Sequence, residues 1–118
     1  MPIDNLLKIM VQLRDPAKGC PWDIDQTFET IAPYALEEAY EVVEAITNKD
    51  YENLRDELGD LLLQVVFHSQ IAKESNLFNF EEVIDSICVK MINRHPHVFG
   101  NADITTSDEQ LSSWETIK

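Results

Sequence analysis

Apolar residues recur along the chain at helical spacing, and no run alternates with period two for long. Asp4 is positioned to cap a first helix carrying Leu6, Leu7, Met10, Val11 and Leu13. The stretch "RDPAKGCPWD" reads as a loop, broken by Pro16, Gly19 and Pro21. Thr30 can cap a second helix, with Pro33 tolerated in its first turn, that runs to about Thr47. After the link "NKD", Asp50 can cap a third helix reaching about Lys73. Asn79 and Glu82 have capping-box spacing for a fourth helix, which "HPHVFG" ends because Pro96 disfavours helix at His95. In the polar tail, Ser107 and Gln110 can start a short last helix with Leu111, Trp114 and Ile117. Long helices with short links predict an all-α helical bundle of four main helices plus a short C-terminal helix, one domain over residues 1–118.

At about 100° per residue the two central helices differ in kind. On the second, Leu36, Ala39, Val42, Val43 and Ile46 form one stripe, and Glu37, Glu38, Glu41 and Glu44 the opposite one. Taken alone, that is an ordinary surface helix with a solvated acidic face. On the third helix Leu58, Leu61, Leu62, Leu63, Val65, Val66 and Phe67 cover most of the wheel. They leave a narrow strip of Glu57, Asp60, Gln64 and His68. A helix apolar nearly all round is expected to be largely buried, and its acids partly buried with it. Such acids need compensation, because removing a carboxylate from water is costly. Three readings fit: a solvent channel, pairing with a base from elsewhere, or several carboxylates sharing a divalent cation. The spacing favours the cation. Glu38 and Glu41 are three apart, as are Glu57 and Asp60, so each pair projects side by side. Two antiparallel helices can face these pairs across a gap. Four oxygen donors suit Mg²⁺, or Mn²⁺ as a substitute, better than zinc. The sequence has no Glu-x-x-His pair, which argues against a ferritin-like di-iron centre.

Composition narrows the partners. The 118 residues include 22 Asp plus Glu against 9 Lys plus Arg, a net charge of -13. That excess repels nucleic acid and anionic membranes, while a small phosphorylated ligand remains compatible if metal ions shield it. No apolar run is long enough to span a bilayer, and "MPIDNLLKIMVQLR" lacks the apolar core of a signal peptide. Cys20 and Cys88 match no metal or redox spacing and read as reduced thiols, so a cytoplasmic protein is expected.

The segments "LEEAYEVVEAI" and "LRDELGDLLLQVVFHSQ" resemble the E-x-x-E…E-x-x-D signature of MazG-type nucleoside triphosphate pyrophosphohydrolases. "GCPWDIDQT" and "RHPHVFG" resemble the segments that flank it, so the likeness covers almost the whole chain. The resemblance implies an all-α, Mg²⁺-dependent enzyme, dimeric or higher, that hydrolyses nucleoside triphosphates to monophosphate and pyrophosphate. It implies Glu38, Glu41, Glu57 and Asp60 as metal ligands, with Glu37 completing the family's double Glu. Any of these five acids can orient or deprotonate the attacking water. Many members carry two such domains in tandem. This chain has one signature and resembles the N-terminal domain, which fits either a single-domain protein or part of a longer one.

Lys90 and Arg94, four apart in the fourth helix, continue the side of Val83 and Ile87, which is expected to face the core. The resemblance makes them triphosphate contacts; the plainer reading is two cations at a helix C-terminus, where the dipole favours them. Trp114 matches a tail tryptophan that in the family lies near the nucleotide; the plainer reading of a lone Trp in a short helix is a docking anchor. Trp22 reads as a core plug, His68 as a hydrogen-bonded core histidine, and His95 and His97 as turn residues. The wide apolar surface of the third helix predicts burial at a two-fold interface, hence a homodimer, with a tetramer as the larger option. The rival functions are a phosphoribosyl-ATP pyrophosphohydrolase-like enzyme and a non-catalytic helical nucleotide-binding or interaction module.

Overall fold

The computed structural model describes residues 1–100 together with 106, 108, 109 and 111. Among these residues the chain is helical, with no strand: α1 (Pro2–Leu13), α2 (Pro21–Ile24), α3 (Phe28–Thr47), α4 (Tyr51–Glu74), α5 (Phe80–Arg94) and α6 (Pro96–Phe99). No described helix is long and apolar enough to cross a membrane. The expected last helix centred on Ser107, Gln110 and Trp114 lies largely outside the described residues; Asp108, Glu109 and Leu111 within it are helical. The chain divides into two units, Met1–Phe80 and Glu81–Lys118.

In the first unit, local chemistry sets the helix ends, not always at the expected residue. α1 starts at Pro2 rather than after an Asp4 cap, because proline's fixed φ and missing N–H suit the first helical position. Asp4 instead sits in the first turn, 3.4 Å from the terminal ammonium. Thr27, not Thr30, caps α3: Thr30 N–H donates to Thr27 Oγ1 at 3.3 Å, and Thr27 N–H donates to Thr30 Oγ1 at 2.8 Å. This is a capping box with Thr in place of Glu. Pro33 consequently lies inside α3 rather than in its first turn. Asp50 caps α4 as expected, accepting from Asn53 N–H at 3.2 Å. The α3–α4 link closes as a Schellman turn, with Lys49 in the left-handed region (φ 55°) and Asp50 N–H donating to Ala45 O at 3.0 Å.

The loop after α1 contains the short helix α2, which the expected loop did not include. It turns tightly at Gly19, where an added Cβ would overlap the carbonyl oxygens of Leu13 and Asp15. Arg14 fastens this loop. It donates to Glu74 through Nε (2.9 Å) and Nη2 (2.8 Å), and through Nη1 to the carbonyls of Asp23 (2.6 Å) and Gln26 (3.1 Å). Its guanidinium carbon lies 5.8 Å from the Phe67 ring centre.

The core is gathered at one end of the α3–α4 hairpin. Met10 of α1, Ile31 of α3 and Val66, Phe67 and Ile71 of α4 are buried together, with Leu6, Phe28 and Phe80 among the residues around them. This corrects the expectation that α4 is largely buried. Its buried residues all lie between Val66 and Ala72, whereas Leu58, Leu62 and Val65 remain 48%, 42% and 39% exposed. On α3 the pair Glu38 and Glu41 faces α4, as the spacing of the acids suggested, and of the apolar stripe only Val42 shares that side. Ala35 and Ala45 lie there too, while Leu36, Val43 and Ile46 are exposed. Trp22 is also not a core plug: it is half exposed, its ring edge-on to Tyr34 (5.9 Å) and Phe67 (6.4 Å).

In the second unit α5 follows Asn79, with Glu81 and Glu82 in its first turn and Arg94 in its last, matching the helix dipole at both ends. It contains no buried residue, and Ile87, expected on the core side with Val83, is exposed. α5 stops at Arg94, before Pro96. His95 has the expected turn role, its Nδ1 bonded to Met91 O at 2.6 Å.

Candidate metal centre on the α3–α4 seam

The two carboxylate pairs come from facing turns of the hairpin. Glu38, Glu41 and Glu57 are half-buried, and each offers one oxygen within 4.8 Å of the others. Asp60, expected as a fourth ligand, is exposed and stands outside this group of three. Glu37 is likewise exposed. Both are near enough for their charges to act on the cluster.

The electrostatics are those of acids crowded without a counter-charge. Burial pushes the Glu38 carboxyl above its ordinary value. A hydrogen bond with Glu57 opposes this, and the charges of Glu41, Asp60 and Glu37 add to the rise. Glu41 is raised chiefly by sharing a hydrogen bond with Glu57 and by repulsion from it. For Glu57 the largest influence, the hydrogen bond with Glu41, lowers the value. Burial, the bond to Glu38 and the charges of Glu38 and Asp60 outweigh it, and the net shift is upward.

The donor set fits a hard divalent cation. Glu38 Oε2 and Glu57 Oε2 are enclosed acceptors that no donor from outside the carboxylate cluster reaches. Native folds rarely leave such atoms unsatisfied, and a cation would supply what they lack. Three carboxylate oxygens suit Mg²⁺ or Mn²⁺. The ion pairs of Arg14 and Arg55 lie elsewhere, with Glu74 and Asp56, and Glu38 Oε2 and Glu57 Oε2 are enclosed.

The remaining strip residues continue along the seam. Gln64 is half-buried, and its Oε1 is a third enclosed acceptor without a donor. Its place, four residues after Asp60 and seven after Glu57, was visible in the sequence, though it suggested no role. His68 behaves as the expected structural histidine. Its Nδ1 donates to Gln64 O at 2.6 Å, and its ring stacks on Phe28 at 6.3 Å. Lys90 and Arg94 belong to the second unit, where Lys90 lines a hollow with Glu82, Asp85, Ser86 and Val89. Trp114 lies outside the described residues. Cys20 is half-buried and Cys88 exposed, and both are free thiols.

Residues 26–99 match the model of the MazG nucleotide pyrophosphohydrolase domain. The chain is 55% identical over 116 residues to a nucleoside triphosphate pyrophosphohydrolase of Escherichia coli K12, covering 98% of this chain and 44% of that protein. It is 48% identical over 115 residues to the nucleoside triphosphate pyrophosphohydrolase/pyrophosphatase MazG of Thermotoga maritima, covering 98% and 43% respectively. The chain thus spans less than half the length of these relatives. A crystal structure of a mazG-related protein from Thermotoga maritima superposes with a TM-score of 0.76 at 28% identity, covering 96% of each chain. With its glutamates meeting across the α3–α4 seam inside the matched span, the chain belongs to the MazG nucleotide pyrophosphohydrolase domain family.

Proposed function

We propose that this chain hydrolyses nucleoside triphosphates to nucleoside monophosphate and pyrophosphate, using Mg²⁺ held by Glu38, Glu41 and Glu57 with Asp60 joining from the rim. The observation that carries the reading is the group of three carboxylate oxygens within 4.8 Å, two of whose residues keep an enclosed acceptor that no donor from outside the cluster reaches. Relatives bearing the name nucleoside triphosphate pyrophosphohydrolase support it.

When bound, the cation would neutralise phosphate charge and lower the pKa of water beside it. The protein's own part is to hold and orient. α3 and α4 fix Glu38, Glu41 and Glu57 at one level of the hairpin, so the site needs little rearrangement. In the reaction a water oxygen bonds to the α-phosphorus, the bond from that phosphorus to the bridging oxygen breaks, and pyrophosphate leaves. The water's proton passes to one of the clustered carboxylates or to Glu37, which is exposed beside them. Lys90 and Arg94 as triphosphate contacts, and Trp114 as a contact to the nucleotide, rest on the family resemblance alone.

The same hairpin supports self-association. Leu36, Tyr40 and Val43 of α3 and Leu58 and Leu62 of α4 are all more than two-fifths exposed. Exposed apolar faces of this extent mark interaction surfaces, and a second copy in a homodimer, or a tetramer built from it, would cover them.

The test is product analysis with a panel of nucleoside triphosphates and Mg²⁺. Monophosphate and pyrophosphate are expected. Diphosphate and orthophosphate would overturn the reading, and no turnover across the panel would favour a non-catalytic module.

A further inference from the structure

Only three side-chain acceptors among the described residues of the first unit are enclosed with no donor from outside the carboxylate cluster: Glu38 Oε2, Glu57 Oε2 and Gln64 Oε1. The first two belong to the carboxylate cluster. The third has no such explanation. Gln64 lies on the same line of α4 as Glu57, seven residues on, and one turn beyond Asp60. Long side chains on a helix lean toward its N-terminus, a tendency that on antiparallel α3 and α4 brings Glu38 and Gln64 toward each other along the hairpin. A buried carbonyl oxygen left unpaired is costly, and such an atom at a metal site calls for a missing donor.

Mg²⁺ keeps several of its waters when bound by few carboxylates, and each has hydrogens to donate. Acceptors beyond the first ring of ligands orient those waters. A neutral amide is suited to this place. It accepts as a carboxylate does but adds no charge to acids that already repel one another.

We propose that Gln64 is a positioning residue of the metal site, its enclosed Oε1 accepting a hydrogen bond from the cation's hydration water. The inference rests on the metal reading of Glu38, Glu41 and Glu57. Gln64→Leu fills the space without an acceptor, Gln64→Met does so with less branching, and Gln64→Glu restores an acceptor.

The experiment is Mn²⁺ and Mg²⁺ titration of the full chain by calorimetry without nucleotide, beside melting curves of the metal-free proteins. Gln64→Leu is expected to weaken binding about tenfold, the scale of lost outer-ring partners. Its metal-free melting temperature should hold or rise, since an unpaired acceptor is gone. Gln64→Glu should regain the lost affinity. Wild-type affinity in both Gln64→Leu and Gln64→Met would overturn the proposal, as would a fall in metal-free melting temperature that Gln64→Glu does not mend. Glu57→Gln separates the two levels. If it binds Mn²⁺ as the wild type does, or the wild type binds none, the metal reading fails and takes the Gln64 role with it. If Glu57→Gln loses binding while the Gln64 variants do not, only the Gln64 role falls.

Discussion

Replacing Arg14 with alanine should destabilise the first unit by about 3 kcal/mol, more than most single substitutions. The side chain is only 9% exposed, and its guanidinium reaches two backbone carbonyls and both oxygens of Glu74. Hydrogen bonds from a charged donor contribute about 1.5–3 kcal/mol each where water cannot replace them. Here the truncated side chain leaves room for water, so the two carbonyls together account for about 2 kcal/mol. Glu74 is 38% exposed and rehydrates when released, which holds its share to about 0.5 kcal/mol. Loss of the guanidinium beside Phe67 adds about 0.5 kcal/mol. Thermal unfolding followed by circular dichroism, at one fixed concentration, should show a drop of roughly 10–15 °C. Arg14→Lys should recover less than half, because an ammonium cannot fork to a carboxylate and reach two carbonyls as well. Glu74→Gln should cost under about 1 kcal/mol. The acid limb gives a second signature. The bonds from Arg14 hold the Glu74 carboxyl below its ordinary value of 4.5. Its contribution is therefore complete above that value and fades as pH falls through the lowered one, a slope that Arg14→Ala should lack. An Arg14→Ala loss below about 1 kcal/mol, or a Glu74→Gln loss equal to it, would refute the assignment of Arg14 as the fastener of the loop.

Asp60→Asn should lower activity and raise the Mg²⁺ requirement while leaving metal-free stability level or higher. Asp60 is exposed, so a large metal-independent loss in melts would contradict this placement. Because Glu38, Glu41 and Glu57 are raised above 4.5 in the folded protein, the native state holds extra protons there. Metal-free stability should then fall as pH rises from about 4.5 through the raised values and level off above them, and Mg²⁺ should reverse the loss. Paired melts across that range, with and without Mg²⁺, check the sign, and stability rising with pH in the metal-free protein would falsify it. Leu62→Glu should convert a dimer at micromolar concentration to monomer in sedimentation, and a folded wild-type monomer under the same conditions would count against the proposed interface.

Most helix positions were legible because they depend on local chemistry: Asp50 before α4, Asn79 before α5 and Pro96 after it. Thr30 was mistaken for the cap of α3 because Thr27 and Thr30 bond reciprocally, and either can pass for the cap. The carboxylates were legible because spacing of three places side chains together on any helix. Periodicity did not say which stripe of α3 meets α4. An apolar stripe signals burial somewhere, without telling whether the cover lies in this chain, and Leu36 and Val43 are exposed in this one. Asp60 has the same spacing as its partner Glu57 but a different accessibility, which depends on the rotation of α4 about its own axis. Arg14 gave no signal, since its partners are two carbonyls and an acid 60 residues away.

The one-sided core makes α4 a cantilever. Its clamped end, Val66 to Ala72, is held by α1 and the start of α3, while the free end carries Glu57 and Asp60 out over exposed apolar surface. A beam fixed at one end is stiffest at its root, so amide exchange should quicken along α4 from Ala72 back toward Tyr51. The Schellman turn ties the tip of this beam to α3, so both arms bend together. Swaying of the pair therefore alters the angle at which the three glutamates meet a ligand far more than the gaps between them. Under the proposed metal reading, approach and release of a ligand would be loose while the spacing of the three carboxylates holds.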